Sequence, residues 1–144
     1  MKILVINGPN LNLLGIREPE IYGSRSLSDL KALISEHAKK NDVTVDFFQS
    51  NHEGAIVDKI QEAMHKFDGL IINPAAYTHT SVAILDAVKG TGMKTVEVHI
   101  SDPDTREDFR KISYIRQACI ATVKGKGFEG YLEAMDILIR EIRQ

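Results

Sequence analysis

Strands and helices alternate along this chain as a βα unit repeated five times. "KILVIN" (2–7), "VTVDFFQS" (43–50), "GLIINP" (69–74), "KTVEVHIS" (94–101) and "CIATVKG" (119–125) are short apolar runs that read as strands. "SLSDLKALISEHAKK" (26–40) places Leu27, Leu30, Leu33 and Ile34 at helical spacing and opens with Ser26 and Asp29, the pattern of a capping box. "GAIVDKIQEAMHKF" (54–67) puts Ile56, Ile60, Ala63, Met64 and Phe67 on one helical face. "SVAILDAVKG" (81–90) reads as a short helix stopped by Gly90, and "FEGYLEAMDILIREIR" (128–143) as an amphipathic helix aligning Leu132, Met135, Ile139 and Ile142.

Such an alternation implies right-handed crossovers and a parallel sheet covered by helices on both faces. The unbroken apolar run from Ile3 to Ile6 suits a central strand buried on both sides. Five strands suggest the flavodoxin-like order 2-1-3-4-5, in an α/β, doubly wound single domain spanning residues 1–144. The length and the 43% hydrophobic and 26% charged residues fit one globular domain and argue against disorder. A net charge of −2 offers no global attraction to nucleic acid or a membrane surface. No apolar run approaches the ~20 residues of a membrane span, and the opening "MKILVINGPN" is too short for a signal peptide. Cys119 is the only cysteine, so no internal disulfide can form, and it reads as a buried core thiol. The expectation is a soluble cytoplasmic protein.

Ligands of open α/β sheets bind beyond the carboxyl ends of the strands, near the switch in strand order. Strands 1, 3 and 4 end there in Asn7, Asn10, Asn12, Asn73, His79, His99 and Ser101, a cluster of uncharged hydrogen-bonding groups. Glu97 and His99 are two apart on a strand and leave the same face, while Val96, Val98 and Ile100 leave the other. That pair is either a structural hydrogen bond or a histidine held in one tautomer for proton transfer near neutral pH. Arg106 and Arg110 share a face if "DPDTREDFRK" (102–111) is helical; they are solvated, or they reach back toward an anionic or polyhydroxylated molecule. If His79 lies on the helix, Asp86 sits two turns along it, about 10 Å away. Asp86 is then a solvated residue or serves another surface, such as a neighbouring subunit. "REPEIYG" (17–23) fits neither helix nor strand well and sets Tyr22 five residues from Arg17.

Several familiar sites are missing or misleading. "GKGFEG" (125–130) matches G-x-G-x-x-G, but no third strand and no acidic residue about 20 positions on follow it. Its glycines are expected to serve a tight turn and close helix packing. No phosphate loop, no acidic pair after strand 1, no nucleophile elbow and no H-x-x-x-H spacing is present. Any chemistry is expected from side chains alone, without metal or cofactor.

"NGPNLNLLGIREPEIYG", "QSNHEG", "NPAAYTHTSVAILDA", "EVHISD" and "REDFRKISYI" occur in the order and spacing of the type II 3-dehydroquinate dehydratases, which the chain resembles over essentially its whole length. The resemblance implies a metal-free hydro-lyase of the shikimate pathway (or of quinate catabolism), converting 3-dehydroquinate to 3-dehydroshikimate through an enolate, and a homododecamer built from trimers. It implies Tyr22 as the base at C2 with Arg17 beside it, and Asn10 holding a water on the enolate oxygen. It implies His99, oriented by Glu97, as the acid for the C1 hydroxyl. Asn73, His79 and Arg110 would bind substrate hydroxyls, and the backbone of Ile100 with the Ser101 hydroxyl would receive the carboxylate. Arg106 would close over the site with the 16–23 loop, and Asp86 would reach the site of an adjacent subunit. Ala75 departs from the glycine common in the family and would tighten the pocket floor or change nothing. A lyase for another small hydroxy-acid, or a non-catalytic small-molecule binding module, would share the fold.

Overall fold

Leu4, Ile6, Leu70 and Ile72 are buried on one side of adjacent strands and Ile3, Val5 and Ile71 on the other, which puts β1 (Lys2–Asn7) and β3 (Gly69–Asn73) at the centre of the sheet. This is a computed structural model that describes residues 1–16, 18–22 and 24–144, with Pro19 and Tyr22 described by backbone only. The five strands are parallel in the order β2-β1-β3-β4-β5, with β2 at Thr44–Gln49, β4 at Lys94–His99 and β5 at Ala121–Lys124. Order and direction match the sequence expectation.

Helices cover both faces. α1 (Pro19–Tyr22) is a single turn, where the sequence suggested neither helix nor strand; Pro19 at its start has a preset φ and no N–H to leave unsatisfied. α2 (Leu27–Lys40) and α5 (Glu129–Ile142) pack on the side of Ile3, Val5, Val96 and Val98. α3 (Glu53–Ala63) and α4 (Val82–Thr91) pack on the side of Leu4, Ile6 and Ile72. The capping box of α2 is present, with the Ser26 hydroxyl accepting from the Asp29 N–H at 3.1 Å and the Asp29 carboxylate accepting from the Ser26 N–H at 2.8 Å. No described helix is long and apolar enough to cross a membrane.

Other departures from expectation lie at helix ends, in one connection and at Cys119. α3 stops at Ala63, and Met64 is 39% exposed because the chain turns away there, with His65 at φ +67°. Phe67 still reaches the α3–α4 side of the core after that turn. α4 runs through Gly90 and ends at Gly92, which takes the left-handed φ of +65° and closes its N–H on Val88 and Lys89. Between β4 and β5 the chain makes three short 3-10 helices, at Pro103–Thr105, Asp108–Lys111 and Ile115–Ala118, in place of an α-helix. Cys119 is only partly buried at the core rim; burial still pushes its thiol up to about 12, so it stays protonated.

Two backbone features fit the loops after β1 and β3 against each other. The Gly8 N–H donates to the Asn73 carbonyl at 2.8 Å, so close that a Cβ at Gly8 would sit 2.4 Å from the Pro74 carbonyl oxygen. Ala75 then turns the chain into the 3-10 helix Ala75–His79 with φ +53°. A left-handed alanine costs about 1–2 kcal/mol, which is the physical reason a glycine suits this position. Ala75→Gly is expected to stabilise the fold by up to about 1 kcal/mol, less than the full strain because glycine gains freedom in the unfolded chain. Denaturant unfolding checks this, and a midpoint at or below that of the unchanged protein would mean the strain is absorbed elsewhere.

Candidate active site

A cleft lies over the carboxyl ends of β1, β3 and β4, the place where open α/β sheets bind ligands. Of the seven uncharged groups picked out by sequence, Asn10, Asn73, His79, His99 and Ser101 line it, together with Ala75, Ile100, Arg106 and Arg110. The cleft straddles the end of the sheet. Asn73 follows Ile71 on the α2–α5 side, whereas Glu97 and His99 point to the α3–α4 side, opposite Val96 and Val98.

Glu97 is fully buried. The carboxylate accepts from His99 Nε2 at 2.6 Å, Ser113 Oγ at 2.7 Å, Arg116 Nε at 3.0 Å and Thr122 Oγ1 at 3.0 Å. Burial alone would raise this carboxyl, but the hydrogen bonds from His99, Arg116 and Ser113 outweigh it and bring Glu97 down to about 2. An ionised carboxylate only accepts, so Nε2 of His99 carries the proton on that side. Nδ1 is therefore the nitrogen left to exchange a proton with a ligand. Sequence reasoning paired Glu97 with His99 but missed Ser113, Arg116 and Thr122, which lie 16 to 25 residues away along the chain.

His79 ends the 3-10 helix Ala75–His79 and is not part of α4. Its Nδ1 lies 2.6 Å from the Ile112 carbonyl, which can only accept, so Nδ1–H donates. Burial pulls His79 below its usual value of 6.5, which favours the neutral ring and leaves Nε2 as an acceptor. Asn73 accepts from the Ala75 N–H at 3.1 Å and donates from Nδ2 to the Tyr131 hydroxyl at 3.0 Å.

Asn10 takes a left-handed φ of +69°, and its N–H donates to Asn51 Oδ1 at 3.0 Å. Gln49 Nε2 donates to the same oxygen at 3.2 Å and to the Gly8 carbonyl at 3.2 Å. The Tyr77 hydroxyl donates to the Asn51 carbonyl at 2.8 Å. "QSNHEG" thus braces the loop that carries Asn10. The glycines of "GKGFEG" have a related place. Gly125 and Gly127 turn with φ +74° and +63° and donate their N–H groups to the carbonyls of Ser101 and Ile100. Farther on, Gly130 lets α5 approach Val98 and Val123, whose methyls lie 3.5 and 3.4 Å from where a Cβ would be. The tight turn and close packing expected of this motif are both present.

Arg106 and Arg110 both reach the cleft, Arg106 from the residue that ends the 3-10 helix Pro103–Thr105 and Arg110 from within the next one, and not from one helix. Arg110 Nε donates to Glu107, and Arg106 lies 3.8 Å from Glu18. Three expected residues are elsewhere. Asn7 lies buried outside the cleft lining, and Asn12 accepts from Gln49 at 3.4 Å. Asp86 is exposed on α4, in a groove with Val57, Gln61 and Ala83 that is separate from the cleft. Arg17 and the Tyr22 side chain lie outside the described residues. Among the described residues no three His, Cys, Asp or Glu side chains come together in a metal-holding group.

Residues 1–139 match the family model described as "Dehydroquinase class II". A "3-dehydroquinate dehydratase" of Endomicrobium trichonymphae is 54% identical over 134 residues, covering 93% of this chain and 94% of that protein. A "Catabolic 3-dehydroquinase" of Talaromyces marneffei is 53% identical over 133 residues, covering 92% of this chain and 76% of that protein. The crystal structure of a type II dehydroquinase from Butyrivibrio crossotus superposes with a TM-score of 0.95 at 52% identity, covering 96% of this chain and 97% of that one.

Glu97 links the site to acid stability. Its carboxyl titrates near 4.5 in an ordinary environment and near 2 in the fold, so between those values the unfolded chain binds more protons. The stabilisation is complete above pH 4.5 and is lost as pH falls toward 2. Glu97→Gln is expected to cost about 3 kcal/mol at neutral pH and to flatten the decline of stability below pH 5. Denaturation midpoints measured from pH 7 to 3 test this; parallel profiles for the two proteins would assign the acid sensitivity to other carboxylates.

Proposed function

Because the chain belongs to the class II dehydroquinase family, we propose that it removes water from 3-dehydroquinate to give 3-dehydroshikimate, as a hydro-lyase of the shikimate pathway. The observation that supports this reading best is His99, tied through Nε2 to an ionised buried Glu97 with Nδ1 left at the cleft. Protonated at Nδ1, His99 can deliver a proton to the departing C1 hydroxyl, which leaves as water. The proton at C2 goes to Tyr22 on the opposite face of the ring, so that the elimination is anti and passes through an enolate.

A free tyrosine titrates near ~10, and a nearby cation favours its phenolate. Arg17 beside Tyr22 makes it a usable base in a loop that closes with Arg106. Asn10 positions a water on the enolate oxygen, a preorganised donor where charge develops. Asn73, His79 and Arg110 bind the ring hydroxyls. The Ile100 backbone and the Ser101 hydroxyl take the carboxylate, in a loop whose carbonyls are already occupied by Gly127 and Gly125. The chemistry requires no metal or cofactor, and the enzyme works in the cytoplasm with neither a nucleic acid nor a membrane as partner.

Chelator-treated protein mixed with 3-dehydroquinate is expected to raise the ultraviolet absorbance of the conjugated enone product. Tyr22→Phe is expected to lose at least about 100-fold in kcat, in line with the loss of a general base, while still binding substrate. No absorbance rise with the unchanged protein would overturn the reaction; near-full turnover in Tyr22→Phe would remove only the base.

Asp86 supports an oligomer. It is exposed on α4 away from its own cleft, so a role in substrate binding requires a neighbouring subunit. We place it there, in a homododecamer of trimers. Sedimentation should give a particle of twelve chains, and Asp86→Ala should raise KM at unchanged size. A fully active monomer would contradict both.

A further inference from the structure

Tyr131 was not among the expected site residues, yet it is wholly buried directly behind one. It comes from α5 into the α2–α5 side of the core, where Asn7 and Asn73 are register partners at the ends of β1 and β3. Its hydroxyl donates to Asn7 Oδ1 at 2.6 Å and accepts from Asn73 Nδ2 at 3.0 Å.

The direction of this chain of hydrogen bonds is determined at its cleft end. The Ala75 N–H can only donate, so the Asn73 atom facing it at 3.1 Å is the oxygen. The atom facing Tyr131 is then the amide nitrogen, a donor, and the tyrosine proton must go to Asn7. Burial holds the Tyr131 hydroxyl above its usual value, so it stays protonated and is no base. Asn73 retains one N–H and one oxygen lone pair, and it lines the cleft. If the amide turned over, donor and acceptor would exchange places before a bound ligand.

We infer that Tyr131 is a positioning residue, whose hydroxyl holds the Asn73 amide in the orientation that the Ala75 N–H sets, so that it offers a set donor to a substrate hydroxyl. The neutral His79 across the same cleft offers an acceptor at Nε2. A hydroxyl between them accepts from Asn73 and donates to His79, which a keto oxygen at that position cannot do. The pair thereby selects a ring carbon bearing –OH over one bearing a carbonyl. This inference rests on the proposed contact of Asn73 with substrate.

Tyr131→Phe keeps the ring and removes only the hydroxyl. It is expected to raise KM for 3-dehydroquinate roughly five- to tenfold with kcat within about twofold, the size of one hydrogen bond in uniform binding. In an Asn73→Ala background the same substitution is expected to add nothing further to KM. A purely structural tyrosine would lower the melting temperature and leave KM of the folded enzyme unmoved; that outcome, or a full KM increase repeated in the Asn73→Ala background, overturns the inference. An Asn73→Ala enzyme with unchanged KM overturns it as well, but through the premise, since Asn73 would then not touch substrate. Should Tyr131→Phe fail to fold, Asn7→Leu removes the acceptor of the tyrosine proton from the other side. It is expected to give the same KM increase, again absent when Asn73 is alanine, and a KM equal to that of the unchanged enzyme overturns the inference.

Discussion

A carboxylate with no exposed surface has to be compensated where it stands, and Glu97 is compensated by four side chains from three places. His99 comes from the same strand, Ser113 and Arg116 from the irregular connection that follows, and Thr122 from β5. Satisfying one buried charge therefore orients the cleft histidine, ties the 112–118 segment to the sheet and fastens the edge strand. The absence of an α-helix between β4 and β5 is consistent with this. A polar connection that must send a serine and an arginine inward to a carboxylate does not present the apolar stripe that a covering helix needs.

The cleft draws on both faces of the sheet. On the α3–α4 side it has a histidine whose Nε2 is tied to Glu97; on the α2–α5 side, an asparagine whose amide is backed by a tyrosine and a second asparagine. The loops between are braced by backbone contacts of small reach: Gly8 to Asn73, Asn10 to Asn51, and Gly125 and Gly127 to Ser101 and Ile100. Each fixes a donor or acceptor before any ligand arrives. For a reaction through an enolate this matters, because donors already in place need not reorganise as charge develops.

The helical faces, the α2 cap and the pairing of Glu97 with His99 could all be read along the chain, because each depends on residues a few positions apart, while the strand order followed from the βα alternation and the rules of parallel connections. Periods of two and of three to four residues carry that information locally. The stops were less legible. Gly90 looked like the end of α4, but the left-handed turn falls at Gly92; Met64 kept the helical period although the helix had already ended. A glycine marks where a turn can occur, and which glycine turns depends on where the next strand must start.

By itself the sequence determined the doubly wound fold, the end of the sheet where the cleft lies and most of the polar side chains that line it, since burial pattern, spacing and the connection rules point to all three. Only the tertiary structure decided which nitrogen of each histidine faces the cleft, which way the Asn73 amide points, and that Ala75 sits in a left-handed turn. It also brought in Arg116, Thr122 and Tyr131, whose partners lie 19, 25 and 58 or more residues away. The physical reason is that a hydrogen bond is directional and its partner is chosen by proximity in space. Sequence spacing records which face a side chain leaves by, and not what meets it there.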